Sequence, residues 1–542
     1  MNMRGFIFSL ATASLCLAIS SMPKPGLPSR MRSVGAQQTP SQLPERPRLS
    51  VDTKAVAATG RIIHVKASGN LQAAIDEARP GDSIELEPGA TYEGPFRLRR
   101  KDAGGWIQIG STTPPSRLGA GEHVSPAAAA SMPKLVARSG SVVTAESGAH
   151  HYRLAGLEIA PAPGAFLHDL VELGYRETTV DDLPHHIIID RCYLHGDPRT
   201  GARRGVALNS RDAAVVHSYF SDFKEVGADS QAIAGWNGTG PYLIADNYLE
   251  AAGENVLFGG ADPAIPNLVP ADIEVLRNHL AKPLTWRAGT SEFQGVAWTV
   301  KNLFELKNAR RVFVDGNLLE YNWPHAQNGF AILFTVRNQD GASPWSTVED
   351  VTFQNNLVQH VACAINILGS DDIHPSQPTR RIAILNNLFV DVGGRWGAGR
   401  LFQFLEGVSD VRIDHNTALQ TDLAIFGGER TPNVPFVFQN NLVLHNRYGV
   451  IGSGTASGRP TFDRYFPRAV VRRNVFVGAP ADSYPTDNFF PASLDVVRFV
   501  DRLRGNYRLA ASSPYKRAAS DGRDPGADIS AVASAIARLP GK

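Results

Sequence analysis

Cysteine is nearly absent: the 542-residue chain carries three, and Cys16 falls in an apolar leader, so Cys192 and Cys363 alone remain for the body of the protein. That excludes a disulfide framework and a cysteine-rich metal site. Both thiols lie in apolar strand-like runs and are expected to be buried. Methionine is scarce, at five against fifty glycines, which points away from a helix bundle. Charge of one sign is missing too. Fifty-four Lys plus Arg against fifty-two Asp plus Glu leave +2, so a nonspecific nucleic-acid binder is excluded and any recognition of anions must be local. There is no phosphate loop, no G-x-S-x-G elbow and no H-E-x-x-H zinc motif.

The apolar run at 6–19, behind Arg4 in MNMRGFIFSLATASLCLAIS, is short for a spanning helix of ~20 residues. With the small residues after it, it predicts a secretory signal peptide over 1–20 and a secreted or periplasmic, bacterial location with no integral membrane segment. Residues 21–60, rich in Pro, Ser, Gln and Arg without periodicity, predict a disordered linker. A monomer is expected. In NLQAAIDEARPGDSIELE, Leu71, Ala74, Ile75 and Ala78 share a helical face and Pro80-Gly81 stops the helix before a strand, as a capped all-β stack requires at its open end.

From there one pattern, apolar-x-apolar-x-x-Asn-x-apolar, recurs for nearly three hundred residues; VTFQNNLVQH at 351–360 returns as FVFQNNLVLH at 436–445. Its ladder position is Cys192, Ser218, Asn247, Asn278, Asn317, Asn356, Asn387, Asn416, Asn441 and Asn474, spaced 25 to 39 residues apart. Such a period is a solenoid signature. A leucine-rich repeat shares part of the pattern, but Val, Ile and Phe dominate here, unit lengths vary, and no helix-like stretch separates the strands. The expectation is an all-β, right-handed parallel β-helix over 61–478, of about ten or more coils with three short strands each, closed by a tail over 479–542. The ladder Asn are expected to be structural, taking the left-handed backbone region at tight turns and bonding the next coil.

Aligning the strands after each Asn turn locates a candidate site. Period two places Val300, Asn302, Phe304 and Leu306 inward and Lys301, Leu303, Glu305 and Lys307 outward, with Glu254 inward beside Val256. Matching the Leu-Phe pairs of two successive coils stacks Lys307 on Arg337. Like charges so placed are destabilising unless an anion comes between them. The insertions at 279–299 and 318–329 flank these coils and supply Lys282, Trp286, Arg287, Trp298, Tyr321, Trp323, His325 and Gln327. Aromatic faces and amides beside a cationic groove suit a sugar chain bearing acidic groups, and Trp286, Arg287, Trp298, Trp323, Gln327 and Asn338 are the substrate-binding candidates. The alternative is that the tryptophans only pack the loops onto the stack.

Residues 61–510 resemble the pectin-lyase-like parallel β-helix superfamily. Within them, FELKNARRVFVDGNLLE followed by GFAILFTVRN resembles the chondroitinase B and alginate lyase family of polysaccharide lyases. The resemblance implies Lys307 as base and Arg337 on the acid side; Asn338-Gln339 stand where the family usually has His-Gly. Many members bind calcium through an acidic pair just before the Lys. Here Val300 and Asn302 fall there, which leaves Glu305, or Glu254 and Asp229, as possible calcium ligands. GADSQAIAG at 227–235 faintly resembles the acidic strand of pectate lyases, and the tail resembles the closing segment of secreted β-helix proteins.

The expected reaction is β-elimination on an acidic polysaccharide containing uronates. It needs a base for the proton beside the carboxylate and fixed cations for the enolate. Stacked cations disfavour each other's charge, so Lys307 is expected to accept the proton, Arg337 or Lys301 to neutralise the carboxylate, and Tyr321 or His325 to protonate the leaving oxygen. Two rivals are a glycoside hydrolase using a carboxylate pair drawn from Glu305, Asp371, Asp372 and Glu406, and a binding protein without catalysis.

Overall fold

A computed structural model describes residues 42–54, 57–102, 104–111 and 123–539. The expected signal peptide lies outside the described residues. Three parallel sheets of 14, 12 and 13 strands run the length of the molecule, each strand pairing with its equivalents one coil before and one coil after. The chain is a right-handed parallel β-helix. Among the described residues no helix is long and apolar enough to cross a membrane.

Period two and parallel stacking together explain the core. In the second sheet Val256, Phe304, Ile332, Ile365, Phe402, Ile425 and Val450 pair coil by coil, and all seven are buried in one apolar cluster. Each such burial contributes roughly 1.5–3 kcal/mol. Because the sheets are open at their ends, the stack needs lids. Helix Leu71–Glu77, capped by the Asn70 side chain, closes one end with Leu71, Ala74 and Ile75. At the other end helix Arg459–Tyr465 inserts Phe462 and Tyr465 into the same core.

The Asn ladder corrects one expectation. The left-handed residue at each turn is the one before the ladder position, such as Arg277, Asn355, Asn386 and His415, all with φ near +50°. The Asn itself bonds along the stack. Asn356 Oδ1 accepts from both the backbone N (2.8 Å) and Nδ2 (2.9 Å) of Asn317, whose Nδ2 also reaches the Val275 carbonyl at 2.9 Å. The chain of bonds begins with Cys192 N to Ser218 Oγ at 3.0 Å and ends one rung beyond the sequence pattern, at Asn488.

Residues 42–54, expected as linker, instead form an ordered strap across the first sheet. The amides of Gln42, Glu45 and Arg48 bond Asp410, Asp350 and Asp272 in turn, Arg46 lies over the Phe313 ring, and Val51 packs on Ile188, Ala214 and Val216. Composition alone did not show that these polar residues meet a regular row of aspartates. The tail also does more than close the last coil: Val532, Ile536 and Leu539 run back onto Leu318, Leu357 and Leu388 of the third sheet.

Candidate active site

The candidate residues gather where the chain turns into the second sheet, and the turn changes which way they face. Leu303 and Phe304 are consecutive and both buried in the core, as are Ala331 and Ile332. Strict alternation therefore fails at this bend. Glu254 and Asn302, expected inward, are instead turned toward polar neighbours, while Leu303, expected outward, belongs to the core.

What results is a compact charged group. Lys301 Nζ forms an ion pair with Asp229 and lies 3.6 Å from Glu254 Oε1. Glu254 is fully buried; its Oε2 accepts from Gln231 at 2.8 Å, and its Oε1 has no hydrogen-bond partner. Asn302 donates to Glu305 Oε2 at 2.9 Å and to Gln327 Oε1 at 3.3 Å. Glu305 Oε1 lies 3.7 Å from Lys307 Nζ. Burial, then repulsion from Glu305 and Asp229, pushes the Glu254 carboxyl up to about 7 although Lys301 and Lys307 pull it down. Burial would lower the Lys301 ammonium, but Glu254 and Asp229 more than offset this and raise it.

The three carboxylates named as possible calcium ligands thus already have a cation among them. The Lys301 ammonium sits between Asp229 and Glu254, in the space a metal ion bridging them would need, so this donor set does not fit calcium.

Lys307 and Arg337 are neighbours, but not as expected. The strands pair Phe304 with Ile332 and Leu306 with Phe334, two residues away from the register that matching the Leu-Phe pairs gives. A backbone bond from the Arg337 amide to the Lys307 carbonyl, 2.9 Å, still joins the two positions. Their charged ends diverge. Arg337 pairs with Asp371 at 2.7 Å and with Asp372, and although burial opposes it, these carboxylates raise the guanidinium above its ordinary value. The cations are compensated separately, Lys307 by Glu305 and Arg337 by Asp371 and Asp372. Asp371 is held below the ordinary carboxylate range by the amides of Ile373 and Asn338 and by Arg337, which outweigh its burial; it is an anchor for Arg337 and not a proton donor.

The flanking loops divide in two. Trp286, Trp298 and Trp323 are buried with Ala252 and Val300, so they pack the insertions onto the stack and offer no open sugar platform. Lys282 is also fully buried, donating to the carbonyls of Ala251, Ala252 and Gly253 at 2.8, 3.0 and 2.8 Å, and burial brings it down to about 7. Tyr321 stacks on His360 at 5.1 Å and lies beside Trp396, over which Arg287 sits at 4.5 Å; this aromatic group belongs to the third sheet's side and touches neither Lys307 nor Arg337. Asn338 is buried and holds its own loop through Pro375 and Ser343. His325 and Gln327 do line an open cleft of about 550 Å³, together with Asn328, Phe330, Arg400 and Gln403.

Arg400 was missed from sequence. Continuing the pairing from Phe330 to Cys363 and from Ile365 to Phe402 puts it two coils beyond Phe330 in the same column, with a buried Nε that has no partner.

No family model matches the chain, and no curated protein matches it. Solved structures do. The chain is similar to an alginate lyase from Paenibacillus sp. str. FPU-7, with 18% identity, TM-score 0.35, and 64% of this chain and 99% of that chain covered. It is similar to the catalytic unit of a GH87 alpha-1,3-glucanase from Streptomyces thermodiastaticus strain HF3-3, with 13% identity, TM-score 0.49, and coverage of 80% and 71%. It is also similar to a mannuronic acid specific polysaccharide family 6 lyase from human gut microbiota, with 14% identity, TM-score 0.40, and coverage of 80% and 84%.

Proposed function

We propose that this protein is a secreted carbohydrate-active enzyme that cleaves a uronate-containing polysaccharide by β-elimination at the face carrying Lys307, Arg337 and the His325–Arg400 cleft. The observation that carries the reading is the placement of an amine and a guanidinium on neighbouring coils, each backed by a carboxylate: Glu305 behind Lys307 and Asp371 behind Arg337.

In this reading Lys307, acting as its free amine, takes the proton next to the substrate carboxylate. The ammonium so formed is stabilised by Glu305, just as a buried acid supports a charged catalytic base. Arg337 exchanges the half-exposed Asp372 for the substrate carboxylate, while Asp371, whose side chain is 1% exposed, keeps the guanidinium aimed. Arg400 offers its guanidinium to a second acidic sugar, and His325, exposed at the same cleft, protonates the leaving oxygen. The Lys301 ammonium supplies the fixed positive charge among the carboxylates, so no metal step is invoked.

The test is a panel of acidic polysaccharides assayed with and without chelator. Chain cleavage with ultraviolet absorbance of a conjugated double bond, unchanged by chelator, is expected. New reducing ends without that absorbance would make the protein a hydrolase, and binding without any loss of chain length would make it a binding module.

A further inference from the structure

Far from that face, two His-His pairs open successive strands of the first sheet: His150-His151 in His150–Ala155 and His185-His186 in His185–Asp190. Neighbours on a strand ordinarily point to opposite faces. Here the second residue of each pair is left-handed, with φ of 60° at His151 and 52° at His186, and the twist turns both rings of a pair to one side. Their Nδ1 atoms approach to 2.9 Å in the first pair and 2.7 Å in the second.

Coil stacking then doubles the pair. The strands register His185 on His150, and the rings stack at 4.8 Å for His150 on His185 and 4.4 Å for His151 on His186. Four imidazoles form a two-by-two grid. One ring nitrogen from each of His151, His185 and His186 lies within 4.8 Å of the others, and all three residues are half-buried. Burial and the neighbouring rings bring His151 down to about 4; burial and Arg211 do the same for His185, also to about 4.

The surroundings orient the rings as metal ligands are usually oriented, through the nitrogen that does not ligate. His150 Nε2 meets the Lys101 carbonyl at 2.9 Å, and His186 Nε2 lies 3.3 Å from Asp212 Oδ2. Each partner directs a proton to Nε2 and leaves Nδ1 as the lone-pair atom facing its neighbour. The Asp212 carboxylate faces His186 at the edge of the grid, and the Arg211 guanidinium acts on His185 by its charge.

We propose that His151, His185 and His186, with His150 completing the set, bind one divalent transition-metal ion of the imidazole-preferring class, such as zinc, cobalt, nickel or copper. The ion ties two coils together near the helix-capped end of the stack, so its occupancy raises the stability of the folded chain. It takes no part in the proposed cleavage chemistry.

The experiment uses the full-length untagged chain, stripped with chelator and titrated with Co²⁺. One equivalent is expected to bind with the visible absorbance of nitrogen-ligated cobalt, and the thermal midpoint should rise with cobalt concentration. Trp106, edge-on to His151 at 5.4 Å, should lose fluorescence on binding of Cu²⁺. His151→Asn and His186→Asn keep a residue type that accepts the left-handed backbone, and each should weaken cobalt binding by about tenfold or more while melting like the metal-free parent. No saturable binding by the parent, or undiminished binding by both variants, overturns the proposal. If a variant fails to fold, protection of the four histidines from diethylpyrocarbonate by Co²⁺ in the parent decides: unchanged modification rates overturn it as well.

Discussion

The Arg337 amide donates to the Lys307 carbonyl at 2.9 Å, yet the two side chains end on different carboxylates, Lys307 near Glu305 and Arg337 on Asp371 and Asp372. The pair is thus a joint between two separately neutralised cations. If Lys307 is the base, Lys307→Ala should lower kcat by about 10²- to 10⁴-fold with an unchanged melting temperature. Asp371→Asn should act differently: Arg337 keeps its charge but loses its anchor, so KM for the polysaccharide should rise along with a smaller fall in kcat. Steady-state kinetics on the cleaved polymer separate the two. A Lys307→Ala enzyme with full activity would remove Lys307 from the mechanism.

Asn356 is a stability residue. Its Oδ1 receives two bonds from Asn317, and its Nδ2 donates to the Val314 carbonyl and to Asn387. Asn356→Ala leaves several buried polar groups without partners, each costing about 1–3 kcal/mol, so the variant should melt well below the parent. Leu357→Ala in the adjacent position, whose side chain meets the tail helix and not the ladder, should cost the packing energy of one side chain. Thermal melting with circular dichroism gives both values. Equal losses would mean that the ladder contributes no more than ordinary packing.

The fold was legible in the sequence because one side chain, the ladder Asn, recurs at a fixed place in successive coils from Asn247 to Asn474 and the apolar residues around it alternate. The capping helix was legible for the same reason: Leu71, Ala74 and Ile75 repeat with helical period. The site was legible in position but not in detail. Lys307, Arg337, Glu305 and Gln327 were found because they follow the ladder, yet parity with Val256 placed Glu254 inward, whereas its carboxylate bonds Gln231 at the start of that strand. The tryptophans of the insertions carried no period at all, and burial, which decides between packing and binding, is a property of tertiary contact. The strap was hidden because its partners, Asp272, Asp350 and Asp410, are hundreds of residues away.

That strap offers a separable test. Val51 is 8% exposed and packs on Ile188, Ala214 and Val216, and the Thr53 carbonyl accepts from Arg153 at 3.0 Å. Val51→Asp would set an unpaired charge against this apolar patch, at a cost of several kcal/mol. Detaching the strap is the less expensive response, since the coil stack has its own core. Limited proteolysis should therefore cut the variant within residues 42–54 much faster than the parent, while the melting temperature of the stack changes little. A variant whose whole stack unfolds in one step with the strap would show that the strap is part of the cooperative unit.

Glu254 predicts how stability depends on pH. Its carboxyl is raised from the ordinary 4.5 to about 7 in the folded protein. Below about pH 4.5 both folded and unfolded states hold the proton, and the group contributes nothing to pH dependence. Between about 4.5 and 7 the unfolded chain ionises while the folded one keeps its proton, so stability falls as pH rises; above about 7 the loss is complete, at ~3 kcal/mol. Glu254→Gln keeps an acceptor for Gln231 and leaves Lys301 its pairing with Asp229. The variant should match the parent at about pH 4 and exceed it by up to ~3 kcal/mol at about pH 8. Urea denaturation of both proteins across this range checks the sign. A parent more stable than Glu254→Gln at high pH would mean that Glu254 is ionised in the folded state and stabilises it through Lys301.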